Sequence, residues 1–320
     1  MPLRAALACL AVLAALAVSP FSGARAEEAP TRLSLVLDWF VNPDHAPILV
    51  AKTRGYFDEA GLDVEIIAPA DPNDPPKLVA AGRADLAITY QPQLHVQVAE
   101  GLPLVRVGTL VATPLNTLLT LADGPIRSIA DLKGKRVGYS VGGFEDALLG
   151  TMLERHGLTL DDVTLINVNF SLSPALLSGQ VDAVIGAYRN FELNQLAIEN
   201  RVGRAFYVEE EGVPPYDELI FVARRDGFDA AAVRRFLDAV ERGTQYLVNH
   251  PDEAWAEASE AYPDLNDELN KRAWKDTVPR FALRPAALDR ARYERFARFL
   301  AGRGLIAEAK PADAYAVEVP

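Results

Sequence analysis

The chain carries one unit of alternating strand and helix signals twice, and this repeat constrains its fold more than any other feature. The stretch LVAAGRADLAI at 78–88 is answered by LLSGQVDAVI at 176–185. In each copy a helical run stops at a glycine (Gly82, Gly179) and an aspartate (Asp85, Asp182) opens a short apolar stretch, with a tyrosine just beyond it (Tyr90, Tyr188). The surrounding elements match in order. In the first copy, 33–37, 64–68 and 85–89 read as strands, and 46–54 and 77–81 as helices. In the second, 136–140, 164–169 and 182–185 read as strands, and 144–155 and 175–177 as helices. Short apolar strands separated by helices fit a parallel sheet covered on both faces. The expectation is a two-lobed α/β chain, each lobe a mainly parallel sheet flanked by helices. Residues 31–120 and 224–306 would form the first lobe and 121–223 the second, with a first connection at 117–123 and a return strand at 216–223. Beyond Arg224 the pattern is helical, most clearly at 228–249 and 287–303, and the polar tail after Ala307 is expected to fray.

The amino terminus reads as an export signal. Arg4 precedes an apolar run at 5–18, and Ala24-Arg25-Ala26 gives the small-x-small pattern of a cleavage site, so residues 1–26 are expected to be removed. The single cysteine, Cys9, lies inside that run. The remaining 294 residues would hold no disulfide, thiolate metal site or cysteine nucleophile, which suits an exported, periplasmic protein stabilised by its core. With 32 basic against 44 acidic residues the chain is acidic, and no basic patch with interleaved aromatics points to nucleic acid. A soluble monomer is expected, with no metal and no cofactor.

Open α/β sheets bind ligands beyond the carboxyl ends of their strands, so the residues just past each strand are the site candidates. After the first strand come Asp38, Trp39 and Asn42, the tryptophan suited to stacking; His45 reads as a helix cap. After the third come Tyr90 and Gln93, a second ring and an amide able to read a polar edge. Asp71 and Asp74 lack calcium-loop spacing and read as a solvated turn. In the second lobe, Gly142 and Gly143 leave backbone N–H groups at a helix start, where an anion or ring oxygen could sit. Asn169 and Phe170 follow the next strand, and Tyr188, Asn190 and Glu192 the last. Glu192 in a dry cleft needs a donor, and an aminopyrimidine supplies one. Tyr216, near the return crossover, could close over a ligand. No HExxH, GxSxG or phosphate-loop spacing supports an enzyme, and His95 and His156 read as helix-surface positions.

Five stretches also carry a family likeness: LDWFVNPDHAP at 37–47, DPNDPPKL at 71–78, GYSVGGF at 138–144, NFSLSPALLSGQVDAVI at 169–185 and YRNFE at 188–192. Together they resemble the thiamin-pyrimidine group of periplasmic binding proteins, over nearly the whole mature chain. The resemblance implies a type II periplasmic binding protein fold and delivery of a formylaminopyrimidine-type ligand to the permease subunits of an ABC importer. It also implies aromatic stacking by Trp39, Tyr90 and Tyr188 and an acid, Glu192, on the amino edge. The same superfamily includes the pyrimidine synthases. At the positions of their pyridoxal-phosphate lysine and reactive histidine this chain has Thr89 and Gln93, and it lacks their cysteine-rich iron motif. More distant likeness to sulfonate, nitrate and riboflavin-precursor binders leaves another small ligand open. An anionic ligand would favour Gly142, Gly143 and Arg189 over Glu192.

Overall fold

The computed structural model describes residues 29–320, so the expected signal peptide at 1–26 lies outside the described residues. Ten strands form two five-stranded sheets. They are β1 (Thr31–Val36), β2 (Leu62–Ile67), β3 (Leu86–Thr89), β4 (Leu104–Val111), β5 (Asn116–Leu121), β6 (Arg136–Tyr139), β7 (Thr164–Asn167), β8 (Ala183–Tyr188), β9 (Gly203–Tyr207) and β10 (Leu219–Arg224). The first sheet has the order β2-β1-β3-β10-β4 and the second β7-β6-β8-β5-β9.

The two sheets share one plan. In each, β1 with β2 and β3, or β6 with β7 and β8, pair in parallel, and one reversed strand (β10, β5) pairs antiparallel with both its neighbours. The reversed strand is in each case the first the chain forms after changing lobes. This follows from geometry: the parallel strands run toward the cleft, so a chain crossing over enters the other sheet at its cleft end and must run away from it. β4 and β9, the strands that deliver the chain to each crossover, carry no clear apolar run and were not expected. The crossovers fall at 112–115 and 208–218, earlier than the sequence boundaries at 120/121 and 223/224. Asn116 to Leu121 already pair inside the second sheet, and Leu219 to Ala223 inside the first.

Two further expectations are corrected. The tail does not fray: Arg106 and Ala316 form a parallel bridge, and Tyr315, Ala316 and Val319 are buried. His95 is not on a helix surface but fully buried against Tyr315, with ring centroids 4.0 Å apart. The helix Ala230–Asn249 packs on Ala46–Thr53 at Gly243, where an added Cβ would lie 2.3 Å from the Pro47 carbonyl oxygen. Only glycine permits that approach. Among the described residues no helix is long and apolar enough to cross a membrane.

Candidate functional site

The carboxyl ends of β1, β3, β6 and β8 meet between the lobes around a narrow slot. It is lined by Asp38, Asn42 and Asp44 from the loop after β1 and by Tyr90 after β3. The other lobe contributes Glu145, Leu172, Gly186, Tyr188, Phe191 and Glu192, and Trp39 stands at the mouth. The free volume is about 30 Å³. The slot opens outward into a groove of about 440 Å³ that shares Trp39, Leu172, Phe191 and Glu192 with it.

Polar contacts fix the first-lobe wall. The Tyr90 hydroxyl donates to Asp38 Oδ2 at 3.0 Å, and His45 Nε2 lies 2.9 Å from Asp38 Oδ1. Asn42 N–H donates to His45 Nδ1 at 3.3 Å, which leaves the Nε2 proton for Asp38. His45 is thus buried and orients an acid, beyond the capping expected of it. Asp44 Oδ1 accepts from Asn190 Nδ2 at 2.6 Å across the cleft. Asn190 Nδ2 also reaches Thr277 Oγ1 at 2.6 Å.

The second-lobe wall uses one device twice. After β6, Ser140 N–H donates to Glu145 Oε2 at 2.8 Å; after β8, Tyr188 N–H donates to Glu192 Oε2 at 2.6 Å. Each glutamate is the first residue of a helix, Glu145–Arg155 or Glu192–Ile198. A helix start favours the ionised acid, but burial wins and pushes both carboxyls up to about 8. Glu145 fits because Gly186, at φ +95°, has no side chain: a Cβ there would lie 2.4 Å from Glu145 Oε1. Beneath the slot, Glu218 accepts from Leu115 N at 2.6 Å, Asn116 N at 3.0 Å and the Tyr216 hydroxyl at 3.1 Å, tying the two crossover segments together. Burial raises Glu218 to about 7 and Asp44 to about 6.

Six of the sequence candidates line the slot: Asp38, Trp39, Asn42, Tyr90, Tyr188 and Glu192. Phe170 lines the outer groove, its ring 4.5 Å from that of Trp39. The other six line neither the slot nor the groove. Gly142 N–H, expected to be free, donates to Asn73 Oδ1 at 3.1 Å across the cleft, and Gly143 beside it takes φ +85°. Asp71, as expected of a turn, accepts from Asn73 N–H and so sets that cross-lobe contact. Asn169, at φ 51°, accepts from the Ser140 hydroxyl through its carbonyl. Tyr216 is fully buried on Glu218 and does not close over the slot. Gln93 accepts from the Thr89 hydroxyl, so the two positions that depart from the synthase pattern bond to each other. Asn190 acts through Asp44. Sequence reasoning missed Asp44, Glu145, Leu172, Gly186 and Phe191.

The slot's lining is acidic, and burial holds two of its four acids, Glu145 and Glu192, largely protonated at neutral pH. Asp38, Asp44, Glu145 and Glu192 line it and no Lys or Arg does. Arg189 is committed to Glu209, with Nη1 2.6 Å from Oε1. Among the described residues no group of three or more His, Cys, Asp or Glu is arranged to hold a metal ion.

The NMT1/THI5-like family model matches residues 42–254. The chain belongs to this family. Within it, a Haemophilus influenzae protein named for thiamine biosynthesis is 56% identical over 91% of this chain and 93% of its own length. The formylaminopyrimidine-binding protein of Halalkalibacterium halodurans is 37% identical over 71% and 70%. A 4-amino-5-hydroxymethyl-2-methylpyrimidine phosphate synthase of Candida albicans is 29% identical over 76% and 75%. Among solved structures, the alkanesulfonate-binding protein SsuA of Xanthomonas axonopodis pv. citri superposes with a TM-score of 0.71 at 16% identity, over 90% of this chain and 98% of that one. The fold is therefore the two-lobed periplasmic-binding-protein fold, in a family tied to thiamine biosynthesis.

The four raised carboxyls make stability depend on pH in a stated direction. An unfolded chain ionises them near 4–4.5, so the folded state holds extra protons above that range. Their contribution is complete below about pH 4.5 and is lost as pH rises through 6 to 8. Burial pushes His95 down to about 3, and its contribution runs the other way, lost as pH falls below 6.5. Between pH 6.5 and 8 the acids dominate, at about 1.4 kcal/mol per group per pH unit at most. The thermal midpoint of the free protein is expected to fall by several degrees across that interval. A flat midpoint would show that the acids are not buried as described.

Proposed function

We propose that this chain is an exported solute-binding protein of an ABC importer and carries an aminopyrimidine of the formylaminopyrimidine type for thiamin salvage. The observation that carries the reading is the pairing of aromatic walls with four acids and no lining cation. A flat ring bearing amino groups satisfies both, stacking on the aromatics and donating to the carboxyls. The named activity of the 37%-identical relative supports the same ligand class. A sulfonate would face four acids with no cation to meet it. A synthase reading lacks a lysine at position 89 and a histidine at 93, and that pair is closed on itself.

Calorimetry with the formylaminopyrimidine and with an alkanesulfonate tests this. The pyrimidine is expected to bind and the sulfonate not. A folded protein with no pyrimidine binding at tens of micromolar, roughly the −6 kcal/mol range, would end the proposal. Trp39→Ala should weaken binding by about 1–3 kcal/mol, by analogy with base stacking. It should also remove most of the fluorescence change on binding, because Trp255 and Trp274 pack on each other and line neither the slot nor the groove.

A further inference from the structure

Glu145 is the slot acid to which stacking and the amino edge give no task. It is 3% exposed and lines the slot. Ser140 N–H holds Oε2 at 2.8 Å. Oε1 takes no hydrogen bond and still keeps accessible surface, which for this lining residue is surface on the slot. Its place is fixed by Gly186, also in the lining, whose added Cβ would stand 2.4 Å from it. β6 and β8 are neighbouring parallel strands with Gly138 opposite Val184, and the same register sets Ser140 beside Gly186 at the strand ends. Two residues past Gly186, Tyr188 N–H holds Glu192. The two glutamates thus leave strand ends about 5 Å apart and border one slot of about 30 Å³. In so narrow a space a flat ring that meets one acid meets the other.

We propose that the Glu145 carboxyl donates a hydrogen bond to the ring nitrogen of the ligand that lies away from its amino group. The proposal rests on the aminopyrimidine reading of the slot and assigns the ring edge which that reading leaves without a partner. An aminopyrimidine presents one donor, the amino group, and two acceptors, the ring nitrogens. With the amino group on Glu192, the remote nitrogen enters the slot in need of a donor, and burying it without one is costly. The hydroxyls and the side-chain amide in the lining are engaged elsewhere: Tyr90 on Asp38, Tyr188 toward Glu218 and Asn42 on the Phe40 carbonyl. Gly186 N–H is taken by Asn116 Oδ1. A carboxyl that keeps its proton has one O–H to give and still accepts through its other oxygen, so Glu145 can serve the ring and Ser140 N–H together. Its surroundings favour that form. Burial, Glu218 and Asp146 all oppose ionisation and push the carboxyl up to about 8. Tyr90 and the other lining acids add no positive charge, and no Lys, Arg or His lines the slot. The contact is to the ring alone and suits a formyl-bearing arm.

The test uses the formylaminopyrimidine labelled with nitrogen-15 at that ring position, bound to the whole chain, with NMR of the label beside calorimetry at pH 7. In the wild type the resonance is expected to move well away from its free value, as a nitrogen accepting a hydrogen bond does. In Glu145→Met it should return toward the free value, and Kd should rise at least about tenfold, the scale of a lost buried partner. Glu145→Gln keeps an acceptor for Ser140 and an N–H for the ring, so it should hold the shift and stay within about threefold in Kd. Raising the pH to about 9.5 should weaken the shift in the wild type and not in the Gln variant, since only the acid can lose its proton. That comparison decides the matter even where Glu145→Met does not fold. A resonance that stays put on binding, moves as far in Glu145→Met, or ignores pH in the wild type overturns the proposal, while calorimetric binding still upholds the pyrimidine reading. Failure of the wild type to bind overturns both.

Discussion

Gly186→Ala is expected to destabilise the protein by about 2–5 kcal/mol, the sum of a left-handed backbone cost and a lost buried hydrogen bond. At φ +95° alanine is strained in any surroundings. The new methyl would also lie 2.4 Å from Glu145 Oε1. Glu145 would have to withdraw, leaving Ser140 N–H, now 2.8 Å from its carboxylate, without an acceptor in a buried place. For a chain of this size the thermal midpoint should drop on the order of 5–15 °C. Gly143→Ala is the control: its φ is +85°, but nothing lies within 4 Å of the added Cβ. That variant should lose only the backbone cost, about 1–3 kcal/mol. The difference between the two melts measures how firmly Glu145 is held. Equal losses would mean that Gly186 is not there to make room for the acid. Ligand affinity should fall in Gly186→Ala and hold in Gly143→Ala, because only the first displaces a group lining the slot.

This pair of residues also marks the limit of what the sequence makes legible. Trp39, Tyr90, Tyr188 and Glu192 could be found because topology alone sends residues just past a parallel strand into the cleft. Glu145 obeys the same topology, yet its place in a helix's first turn is where an exposed acid is ordinarily favourable. Nothing local says that it is buried, since the space it fills is left by a glycine 41 positions away in another strand. Gly142 failed for a similar reason: its free N–H was a local inference, and the acceptor that occupies it, Asn73, comes from the other lobe. Asp44 carries no local signal of a role, and it is the contact with Asn190 from the other lobe that sets it in the site. The same holds for the fold. β4 was hidden by Arg106, a charge that breaks an apolar run, and is recognisable only with the carbonyls of Pro285 and Ala287 around the guanidinium. Those carbonyls belong to the C-terminal third, whose periodicity is helical and gives no sign of them. Period and strand ends thus gave the lobes and half the site, and contacts of long sequence separation gave the rest.

Glu192 connects stability to binding in a way that one substitution can separate. The acid is raised to about 8 by burial, so near neutral pH it weakens the fold as it ionises. Glu192→Gln keeps an oxygen for Tyr188 N–H, 2.6 Å from the carboxylate, but cannot ionise. Its thermal midpoint should therefore exceed the wild type's at pH 8 and fall less steeply between pH 6.5 and 8. Binding should move the other way. A ligand amino group favours the ionised acid, so above about pH 8 Glu192→Gln loses a charge-assisted partner and should bind the aminopyrimidine more weakly, with a smaller loss for an analogue lacking the amino group. Glu192→Ala removes the acceptor altogether and should cost about 1.5–3 kcal/mol, or roughly 10- to 150-fold in Kd. The analogue without the amino group should lose less than about threefold in the same variant, because its ring stacking is untouched. Equal losses for both ligands would move the amino edge away from Glu192, leaving Asp38 and Asp44 as the acids that read it. A more stable but weaker-binding Gln variant would identify Glu192 as a residue whose cost to the fold is offset by its contact with the ligand.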